Sequence, residues 1–265
     1  MKTIGFAQLR NELSRGNLLN WFRCMEFCDY IYIYDQASND GSQEIYRQHK
    51  NVVWIQSKTN RFNEEIICKK QLLEAILSDH PDVDWIFWMD GDTCLDNRLM
   101  LNDFELLKHY LRQCKEEGWE GMLLHNLNLW RSNRYCRTDN GYNGLNPLCF
   151  WRNNGSLSFP DSVGLHLSQT PFGIPESKVF KNLEYNLIHY GFSTDEQIIE
   201  RYENYKSLGQ SGWELERLLD EDGLQLAEVA KGELPSFIDP SQGVCEITQQ
   251  YDYSRKKIRD IYDQK

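Results

Sequence analysis

Apolar positions along the first ninety residues switch repeatedly between two periods. Thr3 to Leu9 is a short, largely apolar run that suits an interior strand. Leu18, Leu19, Phe22 and Met25 then return at helical spacing, which predicts a helix over 17–28 packed on a sheet. YIYIYD, residues 30–35, alternates as a strand does and ends in a carboxylate. Ser38, Asn39, Asp40, Gly41 and Ser42 supply turn chemistry and a helix start, and Val52 to Ile55 form the next strand. From Thr59 to His80 the pattern is helical, with Glu64 and Glu65 suited to the first turn, an apolar face at Ile66, Leu73 and Leu77, and a stop at Pro81. Trp85 to Met89 is a continuous apolar run, as in a strand buried on both faces. The order β-α-β-α-β-α-β implies an α/β fold with a mainly parallel sheet and right-handed crossovers.

The second half is less regular. A helix is expected over 99–117, a strand over 121–129, and a long Arg-, Asn- and Gly-rich loop over 131–147, a length that usually marks function. Residues 148–159 suit a hairpin turning at Asn153, Asn154 and Gly155, and 185–191 a strand bearing His189. Ser193 and Glu196 have capping-box spacing for a helix to about Tyr205. Ser211 and Glu214 repeat that spacing before Leu215, Leu218 and Leu219, and a last charged helix is expected over 251–262. The organisation expected is one domain over 1–208 with a helical extension over 209–265 packed on it.

Chemistry concentrates where the Trp85–Met89 strand ends. Asp90 and Asp92, separated by Gly91, follow it directly. An unpaired buried carboxylate is costly, so the pair belongs where the strand emerges, at its carboxyl end, the edge at which open α/β sheets bind ligands. Two carboxylates this close repel unless a cation or donors lie between them, and hard divalent cations prefer oxygen. The pair therefore reads as a metal and phosphate site.

Bulk properties narrow the partners. The chain has 265 residues, 40% of them hydrophobic, and a formal net charge of -11. That is enough for a sizeable core, and it offers no basic surface to track nucleic acid. The eight cysteines, among them Cys24 and Cys28 at helical spacing, show no paired metal spacing and read as packed thiols. The opening MKTIGFAQLR carries no apolar leader and no run of 18 apolar residues follows, so the expectation is a reduced, cytoplasmic protein without a membrane span.

Four stretches in this order, Arg10-Asn11-Glu12, IYIYDQASNDGS, WIFWMDGDT and LIHYGFSTDEQIIERYENY, resemble the nucleotide-sugar-binding half of the GT-A glycosyltransferases, and inverting glycosyltransferase family two in particular. The resemblance implies a GT-A fold, Rossmann-like with flanking helices, and a metal-dependent inverting transfer from a nucleotide-diphosphate sugar, UDP foremost, to a glycan or other hydroxyl acceptor. It implies donor binding by Gln8, Arg10, Asp35, Arg61, Asp90 and Gly91. Asp35 would accept from the base, its alternative being a turn cap. Asp90 and Asp92, a DXD pair, would hold Mn²⁺ or Mg²⁺, with His189 as a third ligand that favours Mn²⁺; the alternative for His189 is a satisfied strand histidine.

Inversion also needs a general base. The sequence shows no clear match to the family's usual Glu-Asp dipeptide; Asp161, after the expected hairpin strand and before another apolar segment, is first choice and Asp139 second. His166 is a further candidate for the pocket, and Lys69 reads as a solvated cation. Trp130, Tyr135, Tyr142 and Trp151 flank the long loop as candidates to stack on sugar faces, with core packing as the alternative. A nucleotidyltransferase is disfavoured because QLRNELSRG has one Gly and no Lys where such enzymes carry a basic Gly-rich loop. A silent sugar-binding module is the remaining rival.

Overall fold

The computed structural model describes residues 1–139, 146–163, 170–212, 215, 218, 225–230 and 232–238. Tyr142, His166, Glu214, Leu219 and the helix expected at 251–262 lie outside the described residues. The chain forms two compact units, Met1–His125 with Asn146–Asn186, and Asn126–Leu145 with Leu187–Lys265.

The first unit opens with the expected alternation: β1 (Thr3–Leu9), α1 (Leu18–Met25), β2 (Tyr30–Asp35), α2 (Ser42–Tyr46), β3 (Val52–Gln56), α3 (Glu65–Asp79) and β4 (Trp85–Trp88). β5 (Thr93–Leu95), α4 (Asn97–Glu117), β6 (Gly121–Asn128), β7 (Tyr135–Arg137), β8 (Leu148–Arg152), β9 (Val179–His189), α5 (Asp195–Ser207) and β10 (Leu226–Glu228) follow. An eight-stranded sheet has the order β3-β2-β1-β4-β8-β6-β9-β5. β1, β2, β3 and β4 pair in parallel, and β8 lies antiparallel between β4 and β6. The result is an α/β fold with a large, mostly parallel sheet and flanking helices, compatible with a GT-A-like nucleotide-sugar transferase.

Burial explains the strands. Every residue of β4 is buried, and Ile86 and Trp88 share a core with Phe6 and Tyr32 of the neighbouring strands and Leu72 and Ile76 of α3. On the other side of α1, Trp21 is fully buried and its Nε1–H donates to the Met89 carbonyl at 3.0 Å. That bond satisfies the backbone where β4 gives way to the Asp-Gly-Asp turn. Cys24 and Cys28 are both buried thiols, as their helical spacing predicts, and burial pushes Cys24 up to about 12.

Four expectations are corrected. LCFWR does not open a hairpin: Cys149, Phe150 and Trp151 are fully buried, so the strand takes a neighbour on each side, while Ser158 bridges to Phe172 instead. β9 begins at Val179 rather than 185, because exposed Lys181 and Glu184 hide its first half from a hydrophobicity pattern. α5 is capped by Thr194, whose Oγ1 accepts from Gln197 N at 3.3 Å, one residue along from the predicted box. The 131–147 loop contains β7, which pairs antiparallel with β10 in the second unit. Among the described residues, no helix is long and apolar enough to cross a membrane.

Replacing Trp21 by Phe removes the indole N–H that the Met89 carbonyl accepts and opens a cavity where the second ring packed. Urea unfolding should show a loss of about 1–3 kcal/mol; an unchanged midpoint would mean the bond does not hold the end of β4.

Candidate active site at the carboxyl edge of the sheet

Asp90 and Asp92 are half-buried and Gly91 between them is buried. Glycine is required by space. A Cβ at position 91 would lie 2.8 Å from Glu12 Cγ, 2.9 Å from Glu12 Cδ and 2.9 Å from Leu9 Cδ2. Glu12 cannot swing away cheaply: its Oε2 accepts from Asn17 Nδ2 at 2.8 Å and its Oε1 from Arg15 Nη1 at 3.1 Å. Its backbone carbonyl also accepts from Asn17 N and Leu18 N at the start of α1, at 2.9 and 3.0 Å. Burial, and after it the negative charge of Asp92, push the Glu12 carboxyl up to about 7.

The loops after β1 and β2 are stitched together, which accounts for the joint appearance of Arg-Asn-Glu and Ser-Asn-Asp-Gly-Ser. Asn11 adopts φ 57 and its N–H donates to Ser38 Oγ at 3.0 Å; Asn39 N–H returns to Asn11 Oδ1 at 2.9 Å. Ser14 N–H donates to Asp40 Oδ2 at 2.8 Å. Asp35 is fully buried. Its Oδ1 caps the turn by accepting from Ser38 N at 2.9 Å, while its Oδ2 has no hydrogen-bond partner. The turn-cap role is thus filled by one oxygen. Tyr46 is buried nearby, and burial, with the Asp35 charge after it, raises its hydroxyl well above the ordinary phenol.

Gln8 joins this edge to α3. Its Nε2 donates to the Glu65 carbonyl, and its Oε1 accepts from Gln36 Nε2 at 3.2 Å. Arg61 donates to Tyr34 Oη at 2.8 Å and to Glu64 Oε2 at 2.6 Å, whereas Arg10 is exposed. Lys69 corrects its solvated reading. It is fully buried, 2.9 Å from Glu65 Oε1 and 3.9 Å over the Trp88 ring, where the π face and the carboxylate replace water. The signal was present in the sequence, since Lys69 lies three and four residues from Leu72 and Leu73 on the apolar face of α3.

The candidate bases are both ion-paired. Asp161, 82% exposed, takes Lys70 Nζ at 2.7 Å, and Asp139, in the second unit, takes Arg137 Nε at 2.7 Å. Also in the second unit, His189 Nδ1 lies 3.1 Å from Asn128 Oδ1 and its ring packs against Phe192. Trp130 and Trp151 are buried core residues and present no face to a sugar; Tyr135 is half-buried. Among the described residues, no group of three or more His, Cys, Asp or Glu is placed to hold a metal ion.

A family model described as the galactosyl transferase GMA12/MNN10 family matches residues 44–157. The matched span includes Arg61, Asp90, Asp92 and Asp139 and ends before Asp161 and His189. It supports a glycosyltransferase, and so a transferase enzyme. No curated protein matches the chain. Among solved structures, the chain is similar to A197 from STIV, with 11% identity, 72% of this chain and 86% of that one covered, and a TM-score of 0.33. It is also similar to 4-diphosphocytidyl-2C-methyl-D-erythritol synthase from Anaerococcus prevotii DSM 20548, with 10% identity, 97% and 96% covered, and a TM-score of 0.31. At those scores neither likeness bears on fold or function.

Two outcomes follow for the Asp-Gly-Asp turn. Gly91→Ala should cost about 1–3 kcal/mol by overpacking against Glu12 and Leu9, read by urea unfolding; a neutral effect would show that Glu12 yields freely. Glu12 binds its proton more tightly folded than unfolded, so its contribution makes metal-free protein lose stability as pH rises from about 4.5 to about 7, then level off. Relative to Glu12→Gln, wild type should lose up to about 3 kcal/mol across that window. Parallel pH profiles for the two proteins would contradict the raised carboxyl.

Proposed function

We propose that the chain transfers a sugar from a nucleoside-diphosphate sugar, UDP-linked by the sequence reading, to a hydroxyl of a glycan or related acceptor. The observation that carries this is the Asp90-Gly91-Asp92 turn: two half-buried carboxylates at the carboxyl edge of the fully buried β4, within the span matched by a glycosyltransferase family. Gln8, Asp35 and Arg61 lie on or beside elements that reach the same edge. Arg10 and Gly91 complete the donor set of the sequence reading.

A divalent cation suits the donor set in one respect that the structure carries: Asp92 places enough negative charge at this edge to help raise Glu12, and a cation would relieve it. Asp90 and Asp92 would hold Mn²⁺ or Mg²⁺, and the resemblance adds His189. When bound, the ion would offset the charge that gathers on the departing diphosphate. The protein's own part is to hold the turn that carries the two carboxylates, through Glu12 packed against Gly91 and Trp21 bonded to the Met89 carbonyl. Inversion at the anomeric carbon is the stereochemical course proposed. Asp161 and Asp139 are its carboxylate candidates as base, each ion-paired with a neighbouring cation.

Calorimetric titration with a panel of nucleotide sugars tests the reading. One nucleotide class should bind only with Mn²⁺ or Mg²⁺ present, and Asp92→Asn should weaken that binding at least about tenfold. Binding indifferent to metal and to Asp92 would remove the metal role. Proton NMR of the product should show the inverted anomer; retention would remove both carboxylate bases.

A further inference from the structure

β3 stands at one end of the eight-stranded sheet, and among the described residues β2 is its one neighbour. Two bonds at its ends settle which backbone groups β2 uses. Ile31 N donates to Asn51 O and Ser57 N donates to Asp35 O, each at 2.9 Å. In a parallel ladder, residues whose N–H and C=O bond one neighbour alternate with residues whose groups face the other way. The register from Ile31↔Val52 to Asp35↔Gln56 therefore gives β2 the backbone of Asn51, Val53, Ile55 and Ser57. Val52, Trp54 and Gln56 turn theirs outward. Val52 N is taken by His49 O at 3.2 Å. Among the described residues, nothing accepts from the N–H of Trp54 or Gln56, and nothing donates to the carbonyls of Val52, Trp54 and Gln56.

This open edge is apolar and accessible. Val53 is 41% exposed, Gln56 is exposed, and Trp54 and Ile55 are half-buried. VVWIQ itself carries no charge and no Pro, the residues that ordinarily blunt an edge. Cations stand just past its two ends instead. Lys50 and Lys58 are exposed, and neither has an ion-pair partner among the described residues, in a chain whose formal net charge is -11.

Those two lysines decide what fits the edge. If two copies of the chain paired antiparallel about Trp54, Lys50 of each would stand opposite Lys58 of the other, and like charges directly opposite are destabilising. A foreign strand with a carboxylate at each end meets the same lysines as counterions. We propose that the β3 edge docks an extended, acid-ended segment of another protein, added to the sheet as an antiparallel strand. The segment's backbone bonds Val52, Trp54 and Gln56, its apolar middle lies along the β3 side chains, and its terminal carboxylates face Lys50 and Lys58. Main-chain bonds of this kind supply affinity without reading sequence, so selectivity falls to the charges at the ends. The surface is independent of the sugar-transfer reading.

The test uses the full chain and an acetylated, amidated probe peptide that alternates Val and Thr, reaches from Lys50 to Lys58, and carries a Glu at each end. In titrations followed by NMR, it should bind at least about fivefold more tightly than the same peptide ended in Lys. Lys50→Glu combined with Lys58→Glu should reverse that order. Amide exchange at Trp54 and Gln56 should slow on binding, while Val53 and Ile55, already bonded to β2, should keep their rates. Methylating the peptide nitrogens that face Trp54 and Gln56 should abolish binding, whereas methylating the intervening nitrogens should not; this arm needs no variant protein to fold. Binding by neither peptide, equal binding of the two, or unchanged exchange at Trp54 and Gln56 overturns the proposal. A wild-type dimer in sedimentation velocity, with Trp54 and Gln56 already protected before peptide is added, overturns the choice of partner in favour of a second copy.

Discussion

A strand buried on both faces gives way to two half-buried carboxylates within three residues, and the packing of Glu12 against Gly91 is what makes that transition possible. The Glu12 side chain fills the space a Cβ would need, Asn17 and Arg15 pin it, and its backbone carbonyl receives the first amides leading into α1. α1 then returns Trp21 to the Met89 carbonyl. The helix, the loop after β1 and the turn after β4 form one mechanical unit. Its cost is a buried carboxyl raised by its surroundings, an arrangement of the kind found where charge is gathered for a purpose.

Much of this was legible in the sequence because the relevant signals are local. The periods of β1, α1, β2 and β4 follow from side chains that face a single core, and Asp90 and Asp92 were placed at a strand end by the cost of burying a charge. What stayed hidden depends on partners far along the chain. LCFWR reads as half of a hairpin until two neighbours compete for it, β4 on one side and β6 on the other. Lys69 shares the phase of Leu72 and Leu73, yet charge alone argued for water. Only the Trp88 ring and Glu65 make its burial intelligible. Asp35 was foreseen as either cap or base contact, and the geometry shows the cap, through its Oδ1 and Ser38 N.

The carboxylates of Asp90 and Asp92 gather just past the end of β4, at the carboxyl edge of the sheet. Asp161 and Asp139 are each ion-paired, with Lys70 and Arg137 at 2.7 Å.

The most direct test of the account is a crystal structure grown with uridine diphosphate and Mn²⁺, with anomalous scattering recorded at the manganese edge. The account predicts one manganese peak coordinated by Asp92, with diphosphate oxygens on its far side and the base toward Asp35. Nucleotide or manganese located away from the Asp90-Gly91-Asp92 turn would contradict it.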